Sequence, residues 1–368
     1  MIPVTKPYLP SREKLDKYID GIYERQWLTN NGPLVQELTR RLEDYLGVEN
    51  LLLVTNGTLA LQIAYRTLGV SGSTSGTQPE AITTPFTFIA TASSLKWEGV
   101  QPVFADIDPE TWCMDPRNIE EAITSNTRAI VPVHVFGNAC DVEVIDAIAA
   151  KHNLKVIYDA SHAFGVRYKG EDESLLKYGD AATLSFHATK LFHTVEGGAI
   201  IFKRKEDLER AKKMINFGIT GPETIEELGI NAKMNEFQAA MGLCVLDEIE
   251  QVEGDRQRIT EIYDRLLHSK VQMQSIQNGA SWNYAYYPVA LKNEDQLFEL
   301  ITSLRGCDVY ARRYFYPSLD NVDFLNMDST ICPESQKLSK RIICLPIYSG
   351  LKVDEVEMIA KKVLEVCE

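Results

Sequence analysis

No run of about 18 apolar residues occurs anywhere in the chain, so nothing in it has the length of a membrane-spanning helix. The opening Met1-Ile2-Pro3-Val4-Thr5-Lys6-Pro7 also holds no apolar stretch of signal length. Basic residues are scarce, 38 Lys and Arg against 52 Asp and Glu, which leaves a formal charge of −14. A nucleic-acid binder needs a basic face to neutralise phosphates, so that class is excluded, and any anionic ligand must meet a local basic cluster. The cysteines are odd in number, and Cys113, Cys140, Cys244, Cys307, Cys332, Cys344 and Cys367 stand at no metal-ligand spacing. Free thiols in a cytoplasmic protein without a metal site are expected.

What is present is length and alternation. The 368 residues, 45% of them hydrophobic, suffice for one large core and a smaller one. A large α/β domain with an N-terminal arm is expected over residues 1–245, and a small α+β domain over 246–368. Short apolar, β-branched runs read as strands at Leu51–Thr55, Ala81–Thr84, Pro102–Ala105, Ala129–Val135, Lys155–Asp159, Ala182–Ser185 and Ala199–Phe202. Helical patterns such as Thr58–Leu68 and Asp141–His152 lie between them. That alternation predicts a mainly parallel sheet covered by helices. One long helix is expected from Asn235 to about His268, then a strand near Tyr287–Ala290 and a helix near Asp295–Leu304. Gly69–Pro79 reads as a Gly/Ser/Thr-rich loop.

Open α/β sheets collect ligands at the carboxyl ends of their strands, and three suggestive residues or turns fall there. Thr55-Asn56-Gly57-Thr58 is a strand end, a turn and a helix start, whose free N–H groups and Thr58 hydroxyl suit a phosphate or simply a good cap. Asp159 follows the apolar run Leu154–Ile157, where a carboxylate needs either a cation, such as a protonated pyridine nitrogen, or a helix to cap. Lys190 stands one further strand along, in Ser185-Phe186-His187-Ala188-Thr189-Lys190. A lysine desolvated beside a strand end shifts toward the neutral amine that attacks carbonyls, though by itself it cannot be told from a surface lysine.

The succession TNGTLAL, TPFTFIATASS, DASHAFG, SFHATK with EGGA, and NAKMNEFQAAMGL resembles the DegT/StrS sugar aminotransferases, from Trp27–Pro33 to Arg312–Pro317. The resemblance implies a fold-type I, aspartate aminotransferase-like α/β enzyme using pyridoxal phosphate, which becomes pyridoxamine phosphate in turnover. Carried over residue by residue, it implies Lys190 as the Schiff-base lysine and Asp159 as partner of the pyridine nitrogen. Gly57, Thr58 and Ser185 would hold the phosphate, and Phe88 would stack on the ring. Asn231 would reach a neighbouring subunit's phosphate, making a homodimer with shared active sites. His162 replaces the glutamine of many relatives and would face the ring's phenolic oxygen, while His187, Thr29 and Asn31 are candidate sugar contacts. Apart from the resemblance, the run Arg312-Arg313-Tyr314-Phe315-Tyr316 sets forked guanidiniums among aromatics and is either a site for the sugar nucleotide's pyrophosphate, with Arg313 and Tyr316 as contacts, or a solvated basic pair.

The forms SFHATK and DASHA are similar to those of enzymes that aminate C4 of a 4-keto-6-deoxyhexose. The implied reaction moves an amino group from L-glutamate to dTDP-4-keto-6-deoxy-D-glucose for surface polysaccharide, an O-antigen component. Two alternatives are another GDP-, UDP- or dTDP-linked 3- or 4-keto sugar, and a non-catalytic ligand sensor on the same fold. The Lys190–Asp159 combination favours chemistry over sensing.

Overall fold

Each apolar run carries side chains to both sides of one sheet, and helices bury both. A computed structural model describes residues 1–72, 76–170, 173–325 and 331–367. Its seven-stranded sheet comprises β1 (Leu51–Val54), β2 (Glu80–Thr83), β3 (Gln101–Phe104), β4 (Thr127–Val131), β5 (Lys155–Asp159), β6 (Ala181–Ser185) and β7 (Gly198–Phe202). Their order across the sheet is β1-β7-β6-β5-β4-β2-β3. The strands from β6 to β3 pair in parallel, whereas β7 runs antiparallel to both β1 and β6. The α/β class and the mainly parallel sheet thus agree with expectation. Part of the loop at Gly69–Pro79, residues 73–75, lies outside the described residues.

Alternation along β1 shows how the runs are used. Leu51 and Leu53 enter one hydrophobic core, and Leu52 and Val54 enter the other. The first core packs beneath α1 (Pro33–Leu46), through Leu34, Val35, Leu38, Leu42 and Leu46. The second is covered by α2 (Gly57–Thr67), through Ala60, Leu61, Ile63, Ala64 and Tyr65. Burial on both faces explains why these strands are continuously apolar. A further helix, α3 (Ala90–Trp97), follows β2 and brings Thr91 and Ser94 inside.

The long helix expected from Asn235 is two helices, α4 (Glu236–Leu246) and α5 (Ile249–Leu267). Glu248 breaks it with φ −118° and ψ 13°. Its carboxylate accepts hydrogen bonds from Lys14 Nζ at 2.9 Å and Tyr8 Oη at 2.7 Å, so the N-terminal segment holds the break. Helical periodicity continues across the break, which is why the apolar pattern concealed it. Ile249 and Val252 of α5 join the first core, whereas Ile259, Ile262, Tyr263 and Leu267 enter a C-terminal core. That core contains β8 (Tyr287–Ala290), antiparallel to β9 (Ile342–Leu345), with Leu297, Leu300, Ile359 and Val363. Among the described residues no helix is long and apolar enough to cross a membrane. The cysteines are free.

Glu236 ties two helix starts together. Fully buried, its carboxylate accepts the N–H groups of Leu34 and Val35, both at 3.0 Å, at the open end of α1. Its own N–H donates to Leu28 O at 3.0 Å, fixing the loop before α1. Glu236→Ala leaves two buried donors without an acceptor and is expected to cost about 2–3 kcal/mol, read as a lower urea midpoint with an unchanged slope.

Candidate active site

The carboxyl ends of β1, β5 and β6 converge on a cleft of about 290 Å³. At one end lies the start of α2. Asn56 caps that helix, its Oδ1 accepting from Leu59 N–H at 2.8 Å and its carbonyl from Ala60 N–H at 3.1 Å. The N–H groups of Gly57 and Thr58 therefore have no acceptor among the described residues and face the cleft with the Thr58 side chain. Two glycines permit this approach. A Cβ on Gly57 would stand 2.9 Å from Ser185 Cβ, and one on Gly198 would stand 2.7 Å from the Asn56 carbonyl.

Asp159 closes the floor. Its side chain is buried, with Oδ2 accepting from Thr91 Oγ1 at 2.8 Å and Oδ1 from Ser161 N–H at 3.1 Å. No basic side chain lies at ion-pair distance among the described residues. Lys190 lines the same cleft, and burial lowers its amine to about 8 against the opposing pull of Asp159. Nζ donates to Tyr286 Oη at 3.3 Å.

His162 is buried and lies within a stack of rings, parallel to Phe136 at 6.2 Å and Phe315 at 5.8 Å between centroids. Its Nδ1 accepts from Phe136 N–H at 3.2 Å, so in the neutral ring the proton is on Nε2. Burial, reinforced by the charge of Lys190, holds its pKa well below the usual histidine value. Histidine can titrate near neutral pH where glutamine cannot, and here that ability is suppressed. His187 stands at the rim, with Nδ1 2.8 Å from Thr189 Oγ1 and Nε2 3.7 Å from the Glu196 carboxylate.

Phe88 lines the cleft and is 52% exposed in the single chain. Ser185 lines it beside Gly57. Other expected residues stand elsewhere. Asn31 lines a different depression, with Val35, Lys212 and Lys233, and Thr29 is not a cleft residue of its own chain. Asn231 is exposed, bridges Asn216 and does not line the cleft of its own chain. Arg313 is turned away from the cleft and locked, with Nη2 2.8 Å from Glu294 and 3.3 Å from the carbonyls of Ser339 and Lys340. Tyr316 stacks on that guanidinium at 3.6 Å.

Of the run Arg312–Tyr316, Arg312 lines the cleft and Arg313 does not. Arg312 pairs with Cys344 in an isolated bridge, and in such extended chain successive side chains point to opposite sides. Reading the sequence also missed Thr91, although it sits in the quoted TPFTFIATASS, and Tyr286, which no motif announced.

An anion cradle, a buried carboxylate with no basic side chain at ion-pair distance among the described residues and a lowered lysine fit pyridoxal phosphate, whose phosphate, ring nitrogen and carbonyl carbon would be held by α2, Asp159 and Lys190. The family model for DegT/DnrJ/EryC1/StrS aminotransferases matches residues 11–364. The chain belongs to the DegT/DnrJ/EryC1/StrS aminotransferase family. It is a pyridoxal-phosphate-dependent aminotransferase. Among the relatives of this aminotransferase, a dTDP-4-amino-4,6-dideoxy-D-glucose transaminase of Shigella dysenteriae is 41% identical, covering 99% of this chain and 98% of that protein. One of the same name from Escherichia coli is 37% identical over the same shares. The crystal structure of DesI in the presence of its TDP-sugar product is 30% identical with a TM-score of 0.91, covering 100% of this chain and 93% of that one.

The buried histidines make a prediction about pH. His134 is also enclosed, its pKa lowered by burial to about 3. Both rings stay neutral in the fold but take protons in the unfolded chain below about 6.5, so their contribution is complete above that pH and is lost as pH falls. Stability is expected to decline by up to about 1.4 kcal/mol per pH unit for each ring. The His162 ring resonance, assigned with His162→Gln, should not move between pH 5 and 8.

Proposed function

We propose that the enzyme transfers the amino group of L-glutamate to C4 of dTDP-4-keto-6-deoxy-D-glucose. The product is dTDP-4-amino-4,6-dideoxy-D-glucose, made in the cytoplasm for surface polysaccharide. The full-length likeness to two transaminases of that name carries this reading.

Bound pyridoxal phosphate supplies an electrophilic carbon and a ring that withdraws electrons from the carbon being deprotonated. The chain's own residues do the rest. Gly57 and Thr58 offer N–H groups and a hydroxyl to the phosphate, with Ser185 beside them. Asp159, kept an acceptor by Thr91 and Ser161, faces the ring nitrogen's proton. Phe88 would cover one ring face, and Nε2–H of His162 would serve the phenolic oxygen. Lys190 Nζ, lowered to about 8, can both take and return a proton near neutral pH. It takes the α-proton of L-glutamate in the first half of the cycle and delivers a proton to sugar C4 in the second. His187, with Glu196 beside it, contacts the sugar.

A homodimer with shared active sites completes this reading. The segment from Asn216 to Asn231 exposes Phe217, Ile219, Ile225, Leu228 and Ile230, an apolar surface of the kind that a second copy covers. Asn231 is exposed on that surface and would enter a partner's cleft, and Thr29 and Asn31 would be carried into the same arrangement by their loop.

With L-glutamate and a panel of 3-keto and 4-keto sugars on dTDP, GDP and UDP, amination of dTDP-4-keto-6-deoxy-D-glucose is expected to be fastest. Absence of product from that sugar would reject the assignment. Lys190→Ala should lose the near-visible band of the reconstituted protein and at least about 10³-fold in turnover. Asp159→Asn is expected to retain cofactor less well and to slow loss of the glutamate α-deuteron, measured by mass spectrometry.

A further inference from the structure

Tyr286 stands immediately before β8 and lines the cleft beside Lys190. Its oxygen accepts the Lys190 hydrogen bond at 3.3 Å, and Nζ lies 5.8 Å from the ring centroid. His162, Phe136 and Tyr314 box the ring, at 4.8, 5.4 and 6.0 Å between centroids. The hydroxyl therefore has a fixed place.

Arg256 of α5 fixes it further from behind. Its Nη1 donates to the Ala285 carbonyl at 3.0 Å, one residue before Tyr286. Arg256 is 3% exposed, has no carboxylate at ion-pair distance among the described residues, and keeps Nε buried without an acceptor. Burying a guanidinium on such terms is unfavourable, so the chain bears a cost to hold this short segment.

The charged and titratable groups facing the pair are Asp159, His162, Arg256, Arg312, Tyr314 and Cys344. Burial raises the Tyr286 phenol far above neutral pH, with Arg256 and Arg312 opposing only in part, so it stays protonated. A protonated phenol has one donor and free acceptor capacity. It accepts from a lysine ammonium and, once that ammonium has given up its proton, donates to the neutral amine.

We propose that Tyr286 is a further catalytic residue, whose hydroxyl holds the Lys190 amine in one position through both protonation states. This rests on Lys190 being the reacting amine, and not on which sugar is aminated. Arg256 is then a positioning residue that acts through Tyr286.

The test is made first on cofactor-free protein. Lys190 is titrated by its pH-dependent acylation with acetic anhydride, read at its own peptide by mass spectrometry against exposed lysines. Tyr286→Phe removes a hydrogen bond to the charged amine and should lower the Lys190 midpoint by about one pH unit. Tyr314→Phe, which alters a ring touching Tyr286 and leaves the Lys190 bond in place, should not move it. In reconstituted enzyme, Tyr286→Phe should lower kcat by about 10²-fold with little change in either KM. An unchanged Lys190 midpoint in Tyr286→Phe of wild-type unfolding midpoint would overturn the proposal. Acylation uses neither sugar nor amino donor, so a wrong sugar assignment would leave this result intact.

Discussion

A carboxylate buried without a cation is the constraint around which the rest is arranged. Asp159 sits buried at the end of a central strand, with no basic side chain at ion-pair distance among the described residues. Thr91 and Ser161 occupy its oxygens and keep it an acceptor, but neither supplies charge. The same burial pulls Lys190 toward its neutral form. One low-dielectric pocket thus sets a carboxylate in want of a cation and an amine ready to shed its proton. A protonated ring nitrogen joined to a carbonyl carbon answers both demands at once.

Most of the sheet was legible because its strands are buried on both faces, which makes them unbroken apolar runs. Positions such as Leu51–Val54 and Lys155–Asp159 follow directly from that burial. The break between α4 and α5 was not legible, because Glu248 there is held by Tyr8 and Lys14, more than two hundred residues away along the chain. Local pattern has no access to such a contact. The reversed direction of β7 within the seven-stranded sheet was likewise hidden, because it is buried on both faces like its parallel neighbours.

At the site, residues borne by motifs were brought to one cleft: Gly57, Thr58, Phe88, Asp159, His162, Ser185, His187 and Lys190. What sequence pattern does not separate is neighbours. Arg312 and Arg313 differ in a single step along extended chain, and only the pairing with Cys344 decides which one meets the cleft. Tyr286 had no signal at all, being one tyrosine in the aromatic run Trp282–Tyr287. His162 was visible, but its burial under aromatic rings was not, so its behaviour could not be inferred from residue type.

The placement of β7 bears on the order in which the molecule assembles. This strand comes last of the seven in the chain, yet it lies between β1 and β6, and both must wait for it. Its Gly198 is also the surface against which Asn56 and Gly57 close. A nascent chain that has not yet released residues 198–202 from the ribosome therefore lacks the wall of the anion cradle, although the helix that opens onto it has long since emerged. Competence to retain cofactor therefore waits for residues 198–202, just past the middle of the chain, and comes with the closing of a long loop rather than with the local folding of either flank.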